Sequence, residues 1–163
     1  MRGERKLTDQ SDTVHHYADD AIEISYDPHR CIHAAECIRG LRAVFDSERR
    51  PWIVPSAANA DEIANVITRC PSGALHFKRL DGGPSETPEL PTTIVPTPGG
   101  PYYVRGLIQL RSADGSSMFQ DVRMALCRCG QSHNKPFCDN SHVYAGFDDP
   151  GVVPESGRPA EIK

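Results

Sequence analysis

Residues 127–142 read CRCGQSHNKPFCDNSH and set Cys127, Cys129, Cys138 and His142 in the pattern C-x-C-x8-C-x3-H. Three thiolates and one imidazole have the softness that suits an iron–sulfur cluster or zinc. The spacing separates the two. Zinc knuckles usually take two ligands from C-x2-C turns, whereas in C-x-C the side chains leave an extended segment on one face, two residues apart. Two such thiolates suit one iron of a two-iron cluster and leave Cys138 and His142 for the other. Their spacing, i to i+4, places this second pair on one face of a short helix. A structural Cys3His zinc site, or reduced cysteines buried as small hydrophobes, is the plainer reading of the same residues.

The stretch resembles the CDGSH iron–sulfur family, the mitoNEET-like proteins, whose signature is C-x-C-x2-(S/T)-x3-P-x-C-D-G-(S/A/T)-H. The matching residues are Cys127, Cys129, Ser132, Pro136, Cys138, Asp139, Ser141 and His142. Asn140 stands where the family has Gly, and Asn is the non-glycine residue that best tolerates a left-handed backbone. The resemblance implies a 2Fe-2S cluster bound by Cys127, Cys129, Cys138 and His142. It implies also that Ser132 and Asp139 support the ligand loop. One imidazole in place of a thiolate removes a negative charge and raises the potential relative to a four-cysteine centre. It also gives the proton a nitrogen to compete for, so acid is expected to labilise such a cluster.

Upstream, residues 102–110 (YYVRGLIQL) and 118–126 (MFQDVRMAL) flank Asp114-Gly115, a hairpin turn between two runs of strand type. Val122, Met124 and Leu126 alternate toward one face and deliver the chain into Cys127. A lone hairpin is marginal. It needs the cluster, the N-terminal half or a second copy, and the family resemblance implies a homodimer through these C-terminal strands. Before the hairpin, residues 81–101 hold six of the chain's fourteen prolines and four glycines, which reads as a semi-extended linker. The expected organisation is therefore a flexible tail (1–20), a first domain (21–80), the linker (81–101), a second domain (102–147) and a second tail (148–163).

In the first domain, residues 21–27 alternate as a strand and residues 33–45 suit a helix. Residues 51–55 suit a second strand. Asn59-Ala-Asp-Glu62 opens an amphipathic helix with Ile63, Val66, Ile67 and Cys70 on one face, and residues 74–77 suit a last strand. The order is β-α-β-α-β and the class of the whole chain α+β, a small ferredoxin-like domain followed by a small β-rich one.

Cys31, Cys37 and the much later Cys70-Pro71 resemble a single-cluster ferredoxin, C-x2-C-x2-C…C-P, over roughly residues 21–77. The closer likeness is to the divergent 4Fe-4S mono-cluster ferredoxin domains. The second ligand position falls on Ala34, which has no donor atom. Three thiolates suit a 3Fe-4S cluster, or a 4Fe-4S cluster completed by water, hydroxide or a nearby group. His33, one residue off that register, is a candidate. The alternative is that Cys31, Cys37 and Cys70 are core cysteines of a ferredoxin-like domain without its cluster.

Six cysteines and seven histidines stand out in 163 residues that are 38% hydrophobic, 7% aromatic and 25% charged. A net charge of −4 gives no basic field for nucleic acid or anionic lipid. No apolar run approaches the roughly 18–20 residues of a membrane span. The first residues carry positive charge with no apolar stretch behind them, so no signal peptide is read and the expected compartment is the cytoplasm. No nucleophile–base pair, P-loop or dinucleotide fingerprint is legible, which argues against a substrate-converting enzyme. The expected function is one-electron transfer by two clusters, with a redox protein as partner. The alternatives are a cluster carrier or redox/iron sensor that serves an apo-acceptor, and a zinc-stapled interaction module.

Overall fold

Ile22 and Ile24 alternate along one face of β2 (Ile22–Tyr26) and are fully buried, which makes β2 the centre of an antiparallel sheet in the computed structural model, where residues 13–152 are described. The chain divides into two units, residues up to Cys70 with Ala74–Glu86, and Thr87 onward with Pro71–Gly73. In the first unit β2 is flanked by β1 (His15–Ala18) and β3 (Leu75–Arg79), in the order β1-β2-β3, with Ile24 opposite Tyr17 and Phe77. The Asp19 carboxylate accepts from the amides of Ala21 (2.8 Å) and Ile22 (2.9 Å), which turns β1 into β2.

Between β2 and β3 run a 3-10 turn (Pro28–Arg30), a short helix α1 (Glu36–Gly40), a second 3-10 turn (Pro55–Ala57) and helix α2 (Ala60–Ile67). A capping box opens α2: Asn59 Oδ1 accepts from the Glu62 amide at 2.9 Å, and the Glu62 carboxylate reaches back to the Asn59 amide. Ile63, Val66 and Ile67 of α2 pack with Ile22, Ile24, Leu75, Val44, Phe45 and Ile53 into one core.

The elements of this unit run β-β-α-α-β, where the sequence suggested β-α-β-α-β. Residues 15–18, placed in the flexible tail, form β1. Residues 51–55 make a single bridge, Phe45 to Ile53, since Pro51 and Pro55 at either end lack the donors a longer ladder needs. Residues 33–45 do not form one helix, because His33 (φ 52°) and Ala35 (φ 61°) are left-handed and confine α1 to one turn. Helix α2 stops at Ile67 rather than at Cys70. The residue before a proline is pushed out of the helical region, and Cys70 instead donates its amide to Ile67 O at 2.9 Å in a turn.

The second unit is an antiparallel sheet β4 (Thr93–Pro96), β5 (Tyr102–Arg111) and β6 (Ser117–Leu126), in that order. Asp114-Gly115 makes the β5–β6 turn as expected, with the Asp114 carboxylate accepting from the Ser116 amide at 2.9 Å. β4 lies inside the stretch read as linker. Its β-branched Thr93-Ile94-Val95 run pairs with β5, and Pro96 sits at the strand end, where the edge tolerates a missing donor. A bulge separates Arg105 from Ile108. There Gly106 has φ 137° and approaches Thr92 so closely that a Cβ would lie 2.5 Å from the Thr92 Cα. Val104, Ile108 and Met124 form the small core, with Phe119, Leu126 and Phe137 packed against it. Residues 148–152, assigned to the second tail, are held to the unit: Asp149 O accepts from the Gly99 amide at 2.8 Å. The expected tails at 1–12 and 153–163 lie outside the described residues. Among the described residues no helix is long and apolar enough to cross a membrane.

Candidate metal centres

β6 ends where the C-terminal candidates begin. The Cys127 amide donates to Pro136 O and the Cys138 amide to Ala125 O, both at 2.9 Å, so segments 125–127 and 136–138 are zipped antiparallel. That ladder brings the two cysteine groups together from either end of a ten-residue loop. Cys127 Sγ and Cys129 Sγ stand 3.9 Å apart, and Cys138 Sγ stands 3.4 Å from His142 Nδ1. His142 lies on α3 (Ser141–Tyr144), a single turn entered from Asn140 at φ 69°, so Cys138 precedes the helix and the two do not share a helix face as their i, i+4 spacing suggested; the left-handed turn at Asn140 brings them together instead. Asn140 thus adopts the left-handed conformation its place in the motif requires.

Backbone amides face the sulfurs. Gln131 N lies 3.4 Å from Cys129 Sγ, and Asn140 N lies 3.4 Å from Cys138 Sγ. Burial pushes the Cys127 thiol up, but the amides of Ser132 and Gly130, the Cys129 thiol and the Lys135 charge outweigh it and lower its pKa. Cys138 is raised, first by burial, then by the negative charges of Asp139, Cys127 and Cys129, against the Asn140 amide. Neighbouring thiolates therefore resist ionising together unless a cation joins them, the electrostatics of a donor set suited to a metal.

Ser132 is buried; its hydroxyl donates to Phe137 O at 2.7 Å and accepts from the Asn134 amide at 3.0 Å. Asp139 accepts from the His133 amide at 2.8 Å and the Ser141 amide at 3.0 Å. Burial raises its carboxyl, yet the Ser141 hydroxyl and these two amides hold it well below the usual carboxylate range. Ser132 thus ties the middle of the loop to Phe137, and Asp139 ties His133 to the turn that follows Cys138.

Sequence reasoning missed Arg128, the residue between two candidate ligands. Its side chain is only 8% exposed. It donates to Gly100 O (2.8 Å) and Thr97 O (2.6 Å), pairs with the Asp149 carboxylate, and lies over the rings of Phe147 and Tyr102. No spacing rule marks the middle residue of C-x-C, because its partners are about 30 residues upstream and 20 downstream.

In the first unit Cys31, Cys37 and Cys70 are all half-buried and reduced. Burial, foremost, and then the Cys70 and Cys31 charges push the Cys37 thiol up to about 11, so the three sulfurs share one neighbourhood. Tyr26 is raised, first by burial and then by Cys31, to which its phenol is hydrogen-bonded. A cavity of about 430 Å³ opens beside them, lined by Cys31, His33, Ala35, Cys37, Tyr26 and Trp52 among others. Cys70 does not line it. Among the described residues no three His, Cys, Asp or Glu side chains close on one point as a single metal ion requires.

Residues 17–79 match a family model described as a divergent 4Fe-4S mono-cluster, and residues 99–143 match one described as an iron-binding zinc finger of CDGSH type. A curated relative, the Uncharacterized protein YjdI of Escherichia coli (strain K12), is 34% identical over 62 residues, which cover 38% of this chain and 82% of the relative. The protein of that name from Escherichia coli O157:H7 matches to the same extent. The chain belongs to the divergent 4Fe-4S mono-cluster family. Its particular form carries a CDGSH-type iron-binding domain in the same chain, and the two together make it an α+β protein that binds an iron–sulfur centre.

Proposed function

We propose that the chain is a two-cluster, one-electron carrier. Cys127, Cys129, Cys138 and His142 hold a 2Fe-2S cluster, and Cys31, Cys37 and Cys70 hold a 3Fe-4S or 4Fe-4S cluster through a ferredoxin-like ligand loop. The carrying observation is that the C-terminal donors stand as two pairs, 3.9 Å and 3.4 Å within each, with amides directed at the sulfurs. A tetrahedral zinc site puts its four donors at roughly 3.8 Å from one another across every edge; paired donors suit two bridged irons instead. The cluster itself supplies the change of charge. The chain's residues hold the sulfurs still, and the amides offset charge on them.

A redox protein is the natural partner, the cytoplasm the natural compartment, and neither centre is read as converting a substrate. Dimerisation would run through the C-terminal strands. A second reading is a carrier that hands its cluster to an apo-acceptor. It is favoured by His142 lying only half-buried beside exposed Val143 and Tyr144 (91% exposed), which leaves the imidazole side accessible.

Iron and acid-labile sulfide quantitation on anaerobically purified protein, with low-temperature EPR, tests the proposal. Red-brown protein with two distinct cluster signals is the expected result. Colourless protein with stoichiometric zinc and no sulfide overturns it. Cluster transfer to an apo-ferredoxin separates the carrier from the relay.

A further inference from the structure

Four residues of the first ligand loop line the 430 Å³ cavity, namely Cys31, His33, Ala35 and Cys37. They alternate. Ala34, which a three-residue ferredoxin register would make the second ligand, does not line the cavity; its carbonyl instead accepts from Arg39 Nη2 at 2.6 Å, and Arg39 is itself paired with Glu36 at 2.8 Å. The loop therefore presents every second residue, and the donor-less alanine falls outside the wall.

The alternation has a visible cause and a visible cost. His33 and Ala35 both take positive φ, 52° and 61°, and of the described non-glycine residues only Asn140 shares that state. A left-handed residue with a Cβ is strained, and strain of this kind collects at ligand clamps and active sites. His33 gains nothing structural in exchange. Its side chain is exposed and takes part in no hydrogen bond or ion pair among the described residues. The other imidazole in the wall, His15, is stacked on Tyr26 at 6.4 Å between ring centroids.

We propose that His33 is the fourth ligand of the N-terminal centre, which makes that centre a 4Fe-4S cluster held by Cys31, Cys37, Cys70 and one imidazole. This rests on the reading of the three cysteines as cluster ligands.

The test uses the full chain, purified anaerobically, in a His142→Cys background so that any remaining nitrogen coupling belongs to the first centre. Pulsed EPR on the reduced, fast-relaxing four-iron signal, with and without 15N-histidine labelling, is expected to show a coupled histidine nitrogen. The coupling should disappear in His33→Cys, which keeps four irons, and persist in His15→Ala. Treatment with ferricyanide takes one electron from [4Fe-4S]2+ and releases Fe2+, leaving [3Fe-4S]+. His33→Ala should yield at least tenfold more of this three-iron signal than the parent at equal oxidant. A four-iron parent without histidine coupling, coupling that survives His33→Cys, or a parent that already holds three irons after anaerobic isolation overturns the assignment. A parent with no iron or acid-labile sulfide instead overturns the two-cluster function itself, so the two failures are distinguishable.

Discussion

Arg128 lies between Cys127 and Cys129 in the chain and donates to two backbone carbonyls, Gly100 O and Thr97 O, the second of which also accepts from the Gly100 amide. Truncation to alanine would remove both bonds and the Asp149 ion pair, and would take a cation from the Phe147 and Tyr102 rings. A loss of about 2–3 kcal/mol in the C-terminal unit is expected. Arg128→Lys, with a point charge for a planar fork, should recover only part of it. Thermal melting checks the stability, and the visible absorbance decay checks whether the sulfurs lose their fixed spacing. His142 carries a different prediction. If His142 holds iron as proposed, a proton would compete with the metal for its ring nitrogen, a competition that a thiolate in its place would not share. His142→Cys should therefore lose its visible absorbance severalfold more slowly than the parent at mildly acid pH, and equal rates would remove His142 from the ligand set.

At the scale of elements, β3 ends on a clamp. Arg79 donates to Asp81 through Nη2 (2.6 Å) and to Asp61 of α2 through Nη1 (2.5 Å), its side chain only 7% exposed. The Arg79 side chain, foremost, and the Gly83 amide hold the Asp81 carboxyl down to about 2. An unfolded aspartate titrates near 3.9. Because the folded value is the lower one, the contribution is complete above about pH 4 and is lost as pH falls toward 2. Asp81→Asn should lower the denaturation midpoint of the iron-free protein at pH 6, and its gap from the parent should narrow between pH 4 and pH 2. What sequence reasoning could see at this scale follows from range. The capping box of α2, the Asp114-Gly115 turn and the alternation of β2 are short-range signals and stand in the structure as read. β4 was hidden by the prolines around it, because its stability comes from pairing with β5 rather than from its own composition. Residues 33–45 read as one helix, and only residues 36–40 form one, because residue type does not announce a left-handed histidine or alanine; φ there is set by what surrounds the loop. The closeness of Cys127 to Cys129 is legible in the sequence because i, i+2 spacing is local, whereas that of Cys138 to His142 depends on the left-handed turn at Asn140 rather than on a helix face. The neighbourhood of Cys70 was legible only through resemblance.

Across the whole molecule the two units differ in what holds them. Among the described residues the N-terminal core joins ten buried residues from two strands, a helix and the loop between them, whereas the C-terminal core has three, Val104, Ile108 and Met124. So small a core offsets little chain entropy without a staple. Binding energy at the metal is then folding energy for that unit. Chelation under reducing conditions should release amide protection along β5 and β6 while β2, β3 and α2 keep theirs, a contrast that hydrogen exchange reads strand by strand. Protection retained along β5 and β6 after chelation would assign the second sheet more intrinsic stability than its small core supports, and simultaneous loss in both units would make the first core depend on metal as well. One further consequence belongs to Trp52, the only tryptophan in the chain and part of the cavity wall beside Cys31 and Cys37. An indole in contact with a strongly coloured inorganic core is dark, and the same indole beside solvent glows. The emission of this residue, severalfold brighter once the cavity is vacated, gives the first site an intrinsic optical gauge of its filling that needs no label and no change to the chain.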